Sequence, residues 1–312
     1  MTAIVARNLT KRYGDINAVD GLDLSIERGT LYGFLGPNGA GKTTTIRMAL
    51  GLIFPSSGAI EVLGEPVVAS ATPTVLRRVG ALVEEPGFWK YLSGRRNLEY
   101  FARAAGPRHD REGRLGRVDE VLRTVDLEGA AEKKVKAYSQ GMRQRLGVAM
   151  TLLGAPDLLI LDEPTNGLDP QGMRDMRRLM RRLADGGTTV FVSSHLLAEV
   201  EAICDRVGVL AHGRLVAEGP PSELRAPSDL LRIDVDDRTR AEQIAAGLAG
   251  VAVEPARDGG PSLWLRLSSP ATAAAVNTAL VGAGVAVNAL VPQHATLEDV
   301  FIALVEGTDA PR

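Results

Sequence analysis

Five residues with no charge among them, Leu31-Tyr32-Gly33-Phe34-Leu35, run into a glycine-rich stretch, after which apolar positions recur at helical spacing from Lys42 to Leu50. A short apolar run of this kind predicts a buried strand, and the change of period predicts a strand, loop and helix unit. Three further runs read as buried strands: Leu158 to Leu161, Thr189 to Ser193 and Val207 to Leu210. The segments between them are long enough to be crossover helices, which predicts a mainly parallel sheet in an α/β fold. Between these strands, Leu98 to Lys136 reads as charged amphipathic helix and predicts a helical subdomain over about 88–150, its Arg and Glu residues forming a solvated face.

A shift in composition at Gly219-Pro220-Pro221 and Ala226-Pro227 predicts a domain boundary, giving one domain over 1–226 and a second over 227–312. In the second, Leu230 to Val235 alternates like a strand and Arg240 to Leu248 suits a helix. Val251 to Glu254 and Ser262 to Leu267 read as strands flanking an Asp258-Gly259-Gly260 turn. Ala271 to Val281 reads as helix, Val285 to Leu290 as strand and Leu297 to Val305 as a last helix. The order βαββαβ is the split arrangement of ferredoxin-like α+β domains. It carries no function by itself. The expected role of this domain is to stabilise a dimer or to dock a partner.

At 312 residues the chain is long enough for both domains, and 36 basic against 38 acidic side chains leave a formal charge of -2. No overall field draws it to nucleic acid or to an anionic membrane, so partners must be recognised locally. The single cysteine, Cys204, forms no intramolecular disulfide, and Met1 to Ala6 lacks the basic-then-apolar pattern of a secretion signal. Both suit the cytoplasm. Ala273 to Leu290 is uncharged, but it is rich in Ala and Gly, carries Asn277 and Asn288, and changes period partway. A spanning helix needs about 20 strongly apolar residues, so no direct membrane insertion is expected.

Gly36-Pro37-Asn38-Gly39-Ala40-Gly41-Lys42-Thr43 fits the phosphate-cradling pattern G-x-x-x-x-G-K-[ST], placed after a strand and before a helix as that pattern requires. Glycines let backbone N–H groups approach phosphate oxygens, and the helix that follows, with Thr44 in its first turn, presents its positive end. Lys42 would reach the β- and γ-phosphates of ATP, and the Thr43 hydroxyl would ligate Mg²⁺. Leu158 to Leu161 runs directly into Asp162 and Glu163, which places both carboxylates at the end of a strand where α/β sheets bind ligands. Asp162 would hold Mg²⁺ through its water shell, and Glu163 would act as general base or water-positioner.

Tyr138-Ser139-Gln140-Gly141-Met142-Arg143-Gln144-Arg145, shortly before that strand, resembles the signature of ABC-type ATPases, although Ser139 alone would also serve as an N-cap. The resemblance implies an ABC ATPase fold in which Ser139, Gln140 and Gly141 meet the γ-phosphate of ATP held by a second copy, so that each site needs a homodimer. Pro164-Thr165-Asn166-Gly167-Leu168-Asp169 resembles the family's D-loop, with Asp169 linking the sites, and Ser193-Ser194-His195 resembles its switch, with His195 sensing the γ-phosphate. Tyr13 matches the aromatic that stacks on adenine, with Val19 packing nearby. In Val79-Gly80-Ala81-Leu82-Val83-Glu84-Glu85-Pro86, Glu84 stands where the family usually has Gln and would contact Mg²⁺; Glu85 is the alternative. An ionised carboxylate there accepts but does not donate hydrogen bonds.

The Glu-Glu-Pro-Gly-Phe, Ser-x-Gly-Met and Asn-Gly-Leu-Asp-Pro segments resemble drug- and antibiotic-resistance exporters of the daunorubicin and bacitracin type, as does Thr296 to Phe301. That implies an ATP-hydrolysing subunit at the cytoplasmic face of the cell membrane, held there by a separate multi-span permease. Phe88, Trp89 and Tyr91 are candidates to receive the permease, or else core packing of the helical subdomain. The rival expectation, a soluble ABC-type ATPase acting on nucleic acid or the ribosome, is opposed by the single cassette, the lack of a long coiled-coil insertion and the lack of a basic stripe. A nucleotide sensor without turnover is opposed by the presence of both Glu163 and His195.

Overall fold

A computed structural model describes residues 1–68, 74–83, 87–104, 111–224, 229–255 and 262–292, with the backbone alone for 111–114. The chain divides into one compact unit holding Met1–Leu224 and a second holding Arg225–Ala303.

The first unit runs β1 (Thr2–Tyr13), β2 (Ile16–Glu27), β3 (Leu31–Leu35), α1 (Lys42–Ala49), β4 (Ser57–Val62), β5 (Glu65–Pro66) and β6 (Val79–Leu82). It continues through α2 (Gly94–Ala104), α3 (Arg111–Thr124), α4 (Gln140–Leu152), β7 (Leu158–Asp162), α5 (Pro170–Asp185), β8 (Thr189–Ser194), α6 (Leu197–Glu201), β9 (Arg206–Ala211), β10 (Arg214–Gly219) and α7 (Pro221–Leu224). Six strands form one sheet in the order β10-β9-β3-β8-β7-β6. All its pairs are parallel except β10 with β9. β3, β7 and β8 are almost wholly buried, which is why they read as continuous apolar runs. Helices α2, α3 and α4 pack on one another as the helical subdomain.

A second, antiparallel sheet, β2-β1-β4-β5, was not among the elements expected from the sequence. β1 and β2 are 12 residues each, and their pairing is broken by repeated register shifts. Leu22-Asp23-Leu24-Ser25-Ile26-Glu27 does alternate buried and exposed, but the shifts break the pattern along β1 and the first half of β2, so the two strands do not read as one continuous hairpin. The core joins both sheets through α1: Ile4, Leu22 and Ile60 meet Ile46 and Met48, with Phe34 and Phe191 from the parallel strands. Those two rings lie 5.3 Å apart. Fully burying side chains of this size stabilises the fold by about 1.5–3 kcal/mol each.

The second unit comprises β11 (Leu230–Val235), α8 (Arg238–Ala246), β12 (Val251–Glu254), β13 (Leu263–Leu267), α9 (Ala273–Gly282) and β14 (Val287–Pro292). Its strands form an antiparallel sheet ordered β12-β13-β11-β14. Leu231, Ile233, Leu263 and Leu265 pack against Ala241, Ala245, Val276 and Leu280 of the two helices. The uncharged stretch from 273 to 290 thus divides into a ten-residue helix and a strand. Among the described residues no helix is long and apolar enough to cross a membrane. The helix expected over Leu297 to Val305 lies outside the described residues.

Candidate functional site

Parallel pairing sets strand ends beside one another. Leu35, the last residue of β3, is in register with Ser194 of β8, and Asp162, the last of β7, with Ser193. The turn from Leu35 to Lys42 therefore opens beside both acids and the switch residues. Gly41 caps α1 with φ 105°, and a Cβ there would lie 2.3 Å from the Ala18 carbonyl oxygen, so only glycine fits. Lys42 is buried at 6 % exposure. Its Nζ donates to the Gly36 carbonyl at 2.6 Å and the Pro37 carbonyl at 3.2 Å, and stands 3.3 Å from Glu163 Oε1. Gly36 and Ala40 are buried, Pro37 and Thr44 half-buried, and Asn38 and Gly39 exposed.

Asp162 is held from two sides: the Thr43 hydroxyl donates to Oδ2 at 2.8 Å, and the Ser193 hydroxyl donates to Oδ1. Glu163 takes the left-handed conformation, φ 49°, a placement costing about 1–3 kcal/mol that persists only where surrounding contacts over-determine it. Those contacts are visible. Its N–H is shared between Ser193 Oγ at 3.0 Å and the Ser193 carbonyl at 3.2 Å, and its carboxylate spans Lys42 on one oxygen and His195 Nδ1, at 2.7 Å, on the other. An ammonium, a carboxylate and an imidazole aligned at the mouth of a phosphate cradle can neutralise phosphate charge and take a proton from water. Ser193 was quoted in the switch motif but given no role. Its signal was faint: one of two small hydroxyls ending a buried strand.

The motif residues at helix starts sit differently. Ser139 is exposed and caps α4, its Oγ accepting from Met142 N at 3.2 Å, so the N-cap role open to it is filled. Gln140 Oε1 accepts from Arg143 at 2.6 Å. Tyr138, buried, donates its hydroxyl to the Ala130 carbonyl at 2.7 Å, and burial, with Glu132 nearby, raises its pKa. Asp169 caps α5 by accepting from Gly172 N at 3.0 Å. A Cβ on Gly141 would meet nothing closer than Gly172 Cα at 3.8 Å, so its own chain places no steric demand for glycine there.

Tyr13 is half exposed at the end of β1, with Lys11 Nζ 5.2 Å from its ring centroid. Val19 is wholly buried and packs beneath Gly41, so it offers no exposed surface to a base. Glu84 and Glu85 lie outside the described residues. Thr43 and Asp162 bring hard oxygen donors together at 2.8 Å, a donor set that would suit a hard divalent cation such as Mg²⁺. Among the described residues no group of three or more His, Cys, Asp or Glu could hold a metal by itself.

A family model described as ABC transporter matches residues 19–166. The bacitracin transport ATP-binding protein BcrA of Bacillus licheniformis is 41 % identical over 309 residues, 98 % of this chain and 98 % of that protein. The daunorubicin resistance ATP-binding protein DrrA3 of Streptomyces coeruleorubidus is 41 % identical over 315 residues, 97 % of this chain and 96 % of that one. Among solved structures, a dimeric post-hydrolysis state of an ATP-binding cassette bound to ADP and Pi superposes with a TM-score of 0.62. It is 25 % identical, with 70 % of this chain and 98 % of that chain covered.

Proposed function

This chain belongs to the ABC transporter family as an ATP-binding and ATP-hydrolysing subunit, and we propose that it powers a drug or antibiotic exporter from the cytoplasmic face of the membrane. Two copies close head to tail around two ATP molecules. In each site one copy supplies Lys42, Thr43, Asp162, Glu163 and His195, and the other supplies Ser139 and Gly141 from the start of α4. The observation that carries this reading is the Lys42, Glu163 and His195 chain set across the mouth of the phosphate loop.

Lys42 releases Glu163 when phosphate oxygens replace the carboxylate as its partner. Glu163, still held by His195, then faces the attacking water as base, while His195 orients it toward the γ-phosphate. Thr43 and Asp162 would hold Mg²⁺, which offsets phosphate charge when bound. Tyr13 stacks on adenine. Support for Gly141 as a seat for the partner's phosphate comes from the open space at its Cα, which leaves room for a phosphate oxygen to approach the backbone. The exposed rings of Trp89 and Tyr91, with Trp89 5.3 Å from Tyr100, offer an apolar surface for the permease.

Glu163→Gln tests the reading. Hydrolysis is expected to fall at least about 100-fold, the lower range for losing a general base. ATP is retained, and a closed dimer accumulates on size-exclusion chromatography. Normal hydrolysis by this variant removes Glu163 as the base, and a strictly monomeric species at saturating MgATP removes the dimer.

A further inference from the structure

In the proposed dimer, the start of α4 and the acids at the end of β7 serve different ATP sites, yet within one chain they border a shared space. A cavity of about 230 Å³ has Gln140 and Gln144 of α4 on one side and Asp162, Glu163 and Asn166 on the other. It has room for several waters, each filling roughly 30 Å³ in the liquid. Gln144 is only 9 % exposed, and among the described residues its side-chain amide makes no hydrogen bond. Its neighbours are engaged: Gln140 by Arg143, Asp162 by Thr43 and Ser193, Glu163 by Lys42 and His195. The amide is thus free to take up a cavity water or a neighbouring polar group as its partner.

Helix geometry gives the contact a direction. Gly141 and Gln144 are three apart and share a face of α4, and Gln144 lies roughly 7.5 Å along the axis from Ser139 at 1.5 Å per residue. A rigid helix cannot shift at its first turn without carrying Gln144 with it. We propose that Gln144 is a positioning residue coupling the two ATP sites, an inference that rests on the function proposed above. When the partner's ATP docks on Ser139 and Gly141, α4 brings the Gln144 amide onto Glu163 and Asn166, directly or through a cavity water. Its N–H₂ donates to the Glu163 carboxylate, its carbonyl accepts from Asn166, and the base is set for the chain's own ATP.

The test compares full-length wild type with Gln144→Leu and the isosteric Gln144→Glu in steady-state ATPase assays. Gln144→Leu is expected to lower kcat about tenfold, an increase of about 1.4 kcal/mol in the barrier, with KM for ATP within about twofold. The Hill coefficient is expected to fall from above 1 to 1. Gln144→Glu, which sets a third carboxylate beside Asp162 and Glu163, is expected to lose more activity without a loss of thermal midpoint. In a Glu163→Gln background, Gln144→Leu is expected to leave ATP-driven dimerisation intact. Wild-type kcat and Hill coefficient in both variants overturn the proposal. So does a wild-type Hill coefficient of 1, or loss of dimerisation in the double variant together with a lowered thermal midpoint, which makes Gln144 structural. Failure of the dimer reading is distinguishable, because Glu163→Gln alone then stays monomeric.

Discussion

Ser193→Ala deletes one fully buried hydroxyl that serves both acids at once: it donates to Asp162 Oδ1 and accepts from Glu163 N at 3.0 Å. A hydrogen bond to a charged group contributes about 1.5–3 kcal/mol and a neutral one about 0.5–1.5 kcal/mol. The Glu163 N–H keeps the Ser193 carbonyl at 3.2 Å, so the second loss is small, and Asp162 is only half-buried, which places the first near the low end. The sum is about 2 kcal/mol, and for a unit of this size it corresponds to a fall of about 4–8 °C in Tm. Differential scanning calorimetry reads this directly. With its N–H less firmly held, Glu163 is freer to relax from its left-handed conformation, so kcat is expected to fall about tenfold or more alongside Tm. Ser194→Ala is the control. Its hydroxyl accepts from Leu196 N at 2.9 Å, and losing this turn contact costs about 1 kcal/mol. A Ser193→Ala protein with Tm within about 1 °C of wild type and an unchanged kcat refutes the reasoning, because the acids would then be placed without Ser193.

Two glycines are expected to part company. Gly41→Ala, forced against the Ala18 carbonyl at φ 105°, is expected to destabilise the protein and abolish nucleotide binding, as measured by calorimetric titration. Gly141→Ala, in the first turn of α4, fits its own chain and replaces the poorer helix former, so Tm is expected to hold or rise while ATPase activity falls at least tenfold. Unchanged ATPase activity would take Gly141 out of the phosphate seat. Tyr13→Ala is expected to raise KM for ATP about fivefold or more with kcat retained, since aromatic stacking on a base contributes about 1–3 kcal/mol. An unchanged KM dismisses it as the adenine platform. Burial, with the Asp205 charge beside it, pushes the Cys204 thiol well above its ordinary pKa, so between pH 7 and 9 the native thiol stays protonated. A thiol reagent added over that range is expected to react only after urea unfolding, and rapid labelling of the native protein contradicts the buried placement.

Local features of the sequence carried the phosphate cradle. Gly41 and Lys42 are set by the turn into α1, a conformation decided within a few residues, and the buried strands β3, β7 and β8 announce themselves because both faces are covered and their central positions are apolar. The apolar runs before them placed Asp162, Glu163 and His195 at strand ends, and the bounds of β11, β12 and α9 were legible to within two residues. The contact of Ser193 with both acids was not legible, because it depends on β7 and β8 pairing in one register 31 residues apart. A shift of one position would turn the hydroxyl to the other face. Nor was the sheet of β1, β2 and β4, whose register shifts break the pattern outside Leu22 to Glu27, or the cavity at Gln144, which is lined jointly by α4 and by residues at the ends of β6 and β7. Conformations governed by neighbouring residues were therefore determined by the sequence alone, whereas partners brought together by long-range pairing and packing were decided by the tertiary structure, because burial, not adjacency, selects them.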